Sequence, residues 1–250
     1  MEDGLIYDGD SFKVFQASGQ DCVTVEYTDV ITAFNGIKRA EISGKGKINA
    51  SIASMVAGYL GRKGIRSHFI RKTGDNTILC RKVSMIGLEV IVRNVIAGTM
   101  ARKLGVQEGF RPANTIFDLC YKNEDLGDPL INDHYAVALG LVTYGELGEI
   151  YGYASEINGF LSDLMRSIGI ELVDFKLEFG RDSDGSIILV DELTPDNARF
   201  WDIESKEKLD RDRFRRDMGK VGEAYRTIYR RLCSIFGENG QESGEYDRNR

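Results

Sequence analysis

LVDFKLEFGRDSDGSIILVDELTPDNARFWD, residues 172–202, is the stretch from which the architecture of this chain is best read. Val173, Phe175, Leu177 and Phe179 alternate with Asp174, Lys176 and Glu178, the period of a strand with one apolar face and one charged face. Asp184-Gly185 reads as a two-residue hairpin turn, glycine supplying the positive φ, and residues 186–192 as the returning strand. In that register Glu178 lies directly opposite Asp191. Like charges facing each other across a ladder are destabilising, so the pair calls for compensation by Lys176, by a divalent cation, or by both. Mg²⁺, held by one or two carboxylates together with substrate phosphates, suits such a pair. A solvated acidic face is the plainer account of the same letters. The continuation TPDNARFWD then adds a proline-fixed bend, the Asp196 carboxylate and the bidentate Arg199 guanidinium. Two carboxylates, a lysine and an arginine this close together suit phosphoryl transfer.

The rest of the chain sets bounds on that reading. Its 250 residues, 42% hydrophobic and 29% charged, describe a globular protein of one large or two closely packed domains. No run approaches the ~18 apolar residues of a membrane span. The first residues form no basic, apolar leader, so secretion is not expected and a cytoplasmic location is. Cys22, Cys80, Cys120 and Cys233 are scattered and make no CxxC, which suits free thiols in a reducing compartment. With only His68 and His134, zinc chemistry has little material. A net charge of -6 disfavours nonspecific nucleic-acid binding, and the local basic stretch at 206–216 suits small anions better.

Outward from the hairpin, residues 5–35 read as short strands, among them CVTVEY at 22–27, with a turn around Gly19. Ile48, Ile52, Met55, Val56, Tyr59 and Leu60 recur at helical spacing over 46–63, closed by Gly64. Further strands are expected at 68–70, 77–83 and 88–92. A long helix is predicted over 144–168, with Thr143 and Glu146 forming a capping box. A last helix carries Val221, Ala224, Tyr225, Ile228, Leu232 and Ile235 on its inner face. The polar residues 237–250 are expected to be disordered.

Other constellations are weaker. GLEVIVRNVIAGT (87–99) places Glu89, Ile91 and Arg93 on one strand face, where Arg93 either clamps an anion, supported by the Thr99 hydroxyl, or pairs with Glu89 at the surface. SGKGK (43–47) lacks the Walker pattern and reads as the start of a helix, with Lys45 and Lys47 free to meet an anion there. DPLINDH (128–134) reads as a polar turn in which His134 is a hydrogen-bonded bystander.

Taken together, LEVIVRNVIAGT, LVDFKLEFG, DELTPDNARFWD and DRFRRDMG (212–219), with weaker agreement in TAFNGIKRAEISGKGKIN and DPLIND, make the chain resemble the phosphoribosylaminoimidazole-succinocarboxamide synthase (SAICAR synthetase) family. The likeness runs over roughly residues 5–236. It implies an α+β, kinase-like or ATP-grasp-like fold, with a small β-rich ATP-lid domain at 1–84 and a larger α+β catalytic domain with a C-terminal helix at 85–236. The implied reaction joins L-aspartate to the carboxylate of carboxyaminoimidazole ribonucleotide at the expense of ATP, through an acyl phosphate, in purine biosynthesis. By the same resemblance, Glu178 and Asp191 hold Mg²⁺ on ATP, and Lys176 neutralises phosphate charge. Lys13, Lys82, Met85 and Glu89 border the nucleotide. Arg93, Thr99, Asp196, Arg199 and Arg215 bind the ribonucleotide and other anions, and Lys176, Glu178, Asp191 and Arg199 carry the catalysis. The partners implied are small molecules, with no nucleic acid and no membrane, and a homodimer is compatible.

Four positions depart from the family pattern. Asp10 and Phe12, in YDGDSFKVF (7–15), stand where the family's GKxK loop carries lysines, and strand alternation turns the neighbouring Lys13 to the other face unless a bulge re-aims it. Gly87 replaces a proline, and Thr99 a serine whose hydroxyl it keeps. The loop leaves a second reading, a nucleotide-binding relative with a regulatory or binding role. A protein kinase is disfavoured, because the HRD and DFG segments are missing.

Overall fold

The computed structural model describes residues 4–17 and 21–237; the turn expected at Gly19 and the tail from 238 onward lie outside them. The chain opens with β1 (Leu5–Asp8), β2 (Phe12–Gln16) and β3 (Cys22–Tyr27), then a ribbon of β4 (Val30–Ala33) and β5 (Lys38–Glu41) that leads into α1 (Lys45–Arg62). β6 (Phe69–Lys72) and β7 (Thr77–Arg81) return to the first sheet, whose order is β1-β2-β3-β7-β6. A second sheet begins with β8 (Ser84–Arg93), passes α2 (Gly98–Leu104) and takes in β9 (Ile116–Tyr121) and β10 (Leu130–Ile131). α3 (Asp133–Ala138) and α4 (Tyr144–Ser167) precede β11 (Ile170–Arg181), β12 (Ile187–Leu189) and β13 (Ala198–Asp202). α5 (Asp212–Arg215) and α6 (Val221–Phe236) follow.

β11 is the hub of this α+β fold. Its order in the second sheet is β10-β9-β8-β11-β12, and β13 shares the edge of β11 with β12. Phe175, Leu177 and Phe179 of β11, Leu88, Val90 and Val92 of β8 and Leu119 of β9 join one core with Leu147, Ile150, Ala154, Ile157 and Leu161 of α4. Each of the larger of these side chains, Val, Leu, Ile and Phe, contributes about 1.5–3 kcal/mol on full burial. The opposite face of those strands is thereby left for charged residues. α4 starts at the expected capping box: Thr143 accepts from the Glu146 N–H, and Glu146 reaches back to the Thr143 N–H.

Helix α1 joins the two sheets. Ala50 and Ala53 pack on the first sheet, while Ile52, Met55, Val56 and Leu60 enter the main core. Its N-terminus meets an anion of the chain itself, because Asp29 accepts from the Gly44 and Gly46 N–H groups, each at 2.9 Å. The lysines of SGKGK are likewise committed, Lys45 to Asp196 and Lys47 to Asp75. Among the described residues no helix is long and apolar enough to cross a membrane, and all four cysteines are free.

The hairpin register differs from the sequence expectation. Gly185 donates its N–H to the Asp182 carbonyl and Asp182 to that of Ser186, so the loop is the three residues Ser183, Asp184 and Gly185, with Gly185 at φ +81°. This is the type I turn with a glycine bulge, one residue longer than the two-residue turn. Phe179 consequently pairs with Leu189, and the Val190 N–H bonds the Glu178 carbonyl at 2.9 Å, with the Asp191 N–H reaching the same oxygen only at 3.5 Å. Ladder pairing stops at Leu189, short of Asp191.

Candidate active site

The carboxylate that does face Glu178 across the ladder is Glu89, on β8. Strand alternation puts Glu89, Ile91 and Arg93 on one face of β8, and Asp174, Lys176 and Glu178 on the same face of β11. The pairings Asp174–Arg93 and Glu178–Glu89 align them. β9 adds Asp118 and Cys120, and β13 adds Arg199 opposite Asp174. One sheet face thus gathers Glu89, Arg93, Lys176, Glu178 and Arg199 from three strands.

At one end of that face Lys176 is surrounded by acid. Its Nζ lies 2.5 Å from Glu178, 3.2 Å from Glu89 and 3.4 Å from Asp191. Asp191 gets there although it has left the ladder, because the chain bends away from β11 after Leu189. Lys122, just beyond β9, bonds the other Glu178 oxygen. Burial opposes the charge on Lys176, but Asp191, Glu178 and Glu89 outweigh it and hold the ammonium well above the usual lysine range. Burial also works against ionisation of Glu178, and there Lys176 and Lys122 prevail, lowering its pKa. Three carboxylates share two lysines, so the cluster carries surplus negative charge.

That surplus, and one carboxylate oxygen that has only the 3.4 Å ion pair with Lys176 and no hydrogen bond, fit a divalent cation. Asp191 Oδ2 is buried and accepts no hydrogen bond among the described residues. Glu178 and Asp191 offer the hard oxygens Mg²⁺ takes. Among the described residues no three His, Cys, Asp or Glu side chains form a metal-ligating group, so a cation here depends on water or phosphate oxygens to complete its shell, the usual habit of Mg²⁺.

Beyond Lys176 the face opens into a cleft of about 500 Å³ that Arg93, Thr99, Asp174, Arg199, Arg211 and Arg215 help to line. Arg93 reaches Asp118 at 2.6 Å and Asp174 at 3.3 Å. Arg199 grips both Asp174 oxygens through Nη1, at 3.0 and 2.8 Å, and Asp212 through Nε. Gly98 makes room for this. At φ +60° it brings bare backbone against the guanidinium, where a Cβ would sit 2.6 Å from Arg199 Nη2. Asp212 also bonds Arg215 at 2.7 Å; burial opposes its charge, but Arg199 and Arg215 hold its pKa at about 2. The carboxylates keep the guanidinium groups fixed and aimed while leaving part of each exposed to the cleft.

Of the residues singled out in the sequence, Lys176, Glu178, Asp191 and Glu89 meet at one end, and Arg93, Thr99, Arg199 and Arg215 at the other. Asp196 lines the cleft, but its oxygens are taken by Lys45 and Asn49, both at 2.7 Å, and by the Tyr225 hydroxyl at 2.7 Å. It shapes the floor. Lys13 pairs with Asp8 at 2.8 Å, Lys82 bonds Gln16, and Met85 is exposed at the start of β8; none of the three lines the cleft. Asp10 is paired with Arg39, and its carbonyl accepts from Thr28. His134 is exposed and bonded to the Tyr144 hydroxyl at 2.6 Å, as a bystander would be. Burial lowers His68 to about 4, so it is neutral at pH 7. Asp118, Lys122 and Arg211 carried no assigned role in the sequence. Period two from Cys120 reaches both Asp118 and Lys122, so strand parity was the available signal.

Known proteins are similar to this chain in sequence and in fold. A family profile described as SAICAR synthetase matches residues 5–232. The chain is 50% identical over 233 residues to the phosphoribosylaminoimidazole-succinocarboxamide synthase of Fusobacterium nucleatum, covering 93% of this chain and 98% of that one. It is 52% identical to the Clostridium novyi protein of the same name, covering 94% and 99%. Among solved structures, a type-2 SAICAR synthetase in complex with ADP superposes with a TM-score of 0.89 at 41% identity, covering 92% of this chain and 98% of that one. The Ehrlichia chaffeensis synthase gives 0.90 at 36% identity, covering 93% and 99%. The chain belongs to the SAICAR synthetase family.

Proposed function

We propose that this protein joins the amine of L-aspartate to the carboxylate of carboxyaminoimidazole ribonucleotide at the expense of ATP, as a step of purine biosynthesis in the cytoplasm. The observation that carries the reading is the single charged sheet face, with a lysine among three carboxylates at one end and a guanidinium-lined cleft at the other. ATP fits the first end and the ribonucleotide the second. A carboxylate is a poor electrophile, so its oxygen first attacks the γ-phosphorus of ATP; ADP leaves and an acyl phosphate forms. The aspartate amine then attacks the acyl carbon, phosphate leaves, and the amide remains after loss of the amine's protons.

Mg²⁺, held by Glu178 and Asp191, would supply charge neutralisation to the ATP phosphates. The chain's own contribution is positioning and charge. Lys176 offsets negative charge where the phosphoryl group passes, Arg93, Thr99 and Arg199 hold the ribonucleotide, and the sheet face keeps them in register. No protein nucleophile is required.

The test is ADP release from purified protein with ATP, Mg²⁺ and the ribonucleotide, with and without L-aspartate. Turnover that needs all three substrates is expected. Nucleotide binding without such turnover would favour the second reading, a silent relative, which draws on the Asp10–Arg39 pair in the N-terminal loop. Within the same assay, Glu178→Gln and Asp191→Asn should each abolish ADP release while leaving circular dichroism unchanged.

A further inference from the structure

We infer that Arg211 binds a carboxylate of the amino-acid substrate. The inference rests on the ligase reading above, which needs a dicarboxylic amine donor held beside the activated carboxylate.

Arg211 immediately precedes α5 as its N-cap residue, and its backbone is fixed. Its N–H bonds the Pro195 carbonyl at 3.0 Å, and its own carbonyl accepts from Phe214 and Arg215. The side chain lines the cleft. Its Nε is buried with no hydrogen-bond partner, and among the described residues the guanidinium makes neither a hydrogen bond nor an ion pair. The other guanidinium groups of the cleft behave differently: Arg93, Arg199 and Arg215 each grip a carboxylate.

The nearby acid cannot serve. Asp196 is already bonded by Lys45, Asn49 and Tyr225, so Arg211 feels its charge without a contact. Burial, reinforced by Arg215, pushes the Arg211 pKa down. Yet a guanidinium does not shed its proton in a protein, so the site stores an uncompensated cation. An uncompensated buried charge is costly and is relieved by an anion, and a planar carboxylate matches the guanidinium fork.

Three anionic partners must fit. Lys176 faces the phosphate end, and Arg93 and Arg199, fixed on Asp174, are assigned to the ribonucleotide. Arg211 and Lys103 are the lining cations left for the third, and of the two Arg211, buried at Nε and fixed by its backbone, is the one preset for a carboxylate, whereas Lys103 is exposed.

Steady-state ADP release with each substrate varied in turn, for wild type, Arg211→Met and Arg211→Lys, tests this. Loss of a charge-assisted contact should raise the KM for L-aspartate about 10- to 100-fold in Arg211→Met. The KM values for ATP and the ribonucleotide should stay within about threefold of wild type, on the same free-energy scale. Arg211→Lys, which keeps the charge without the fork, should fall between. An unchanged aspartate KM, or an equal rise for the ribonucleotide, overturns the inference. Wild-type protein that fails to release ADP sinks the ligase reading instead. Calorimetric titration of L-aspartate into the ADP-saturated protein reads the contact without turnover. Wild type that binds aspartate no more tightly than Arg211→Met refutes the role of Arg211 whatever the turnover assay gives.

Discussion

Replacing Lys176 by methionine removes the cation on which Glu178, Glu89 and Asp191 converge at 2.5, 3.2 and 3.4 Å. Lys122 alone then faces three acids. Removing one partner of a buried ion pair costs about 3–5 kcal/mol, and Lys176, with its side chain 28% exposed, belongs at the low end, near ~3 kcal/mol. In a chain of this size each kcal/mol moves Tm by about 2–4 °C, so a fall of roughly 6–12 °C is expected. The loss must depend on pH. Without the lysine, Glu178 loses the cation that lowers its folded-state pKa, and Asp191, already raised by burial, is raised further. The penalty is therefore full where both are ionised and shrinks as falling pH protonates them in the fold. Thermal melts at pH 8 and pH 5 should show the wider gap from wild type at pH 8. Mg²⁺ should restore part of the loss, since a ligand at a hundredfold its Kd adds about 2.7 kcal/mol. A variant melting within about 2 °C of wild type at pH 8 would mean a loss below ~1 kcal/mol and would refute the view that Lys176 holds three buried acids together.

Other outcomes follow from single contacts. Gly98→Ala forces a side chain into φ +60° and against Arg199. A destabilisation of about 1–3 kcal/mol and a raised KM for the ribonucleotide, with that for ATP unchanged, are expected from denaturation and kinetics. Asp29→Ala strips two N–H groups at the start of α1 of their acceptor and should cost about 1–2 kcal/mol in urea unfolding; a loss within error would mean water caps the helix as well. Burial, with repulsion from Asp212, pushes Asp210 up to about 7 from 3.8. The stability it contributes is therefore full below the unfolded value and declines as pH rises towards 7. A carboxyl-carbon NMR titration should find a midpoint near 7, and a midpoint below 5 would contradict the burial argument.

Local pattern made the elements legible and left their pairing hidden. Period two in β11 and the Thr143–Glu146 box of α4 are properties of neighbouring residues, and both stand in the fold. The hairpin register was misjudged because Asp-Gly suits a two-residue turn and also the last two residues of a three-residue loop, and one residue of difference exchanges Asp191 for Val190 opposite Glu178. Glu89 as the true cross-strand partner depends on β8 lying beside β11, a contact between segments some ninety residues apart in sequence that no local spacing encodes. Lys45 and Lys47, which suggested an anion site, are consumed by Asp196 and Asp75. Arg211 was hidden for the opposite reason: in a stretch rich in arginine, only the geometry reveals which one lacks a partner.

The central claim is that Glu178 and Asp191, brought together around Lys176, hold a divalent cation on the nucleotide. Its most direct test is a crystal grown with ADP and Mn²⁺ in place of Mg²⁺, with the ion located by its anomalous scattering. The account predicts a peak about 2.0–2.3 Å from an oxygen of each carboxylate and from ADP phosphate oxygens, close to the distances hard cations keep. A peak bound to neither side chain, with ADP in place, would contradict it.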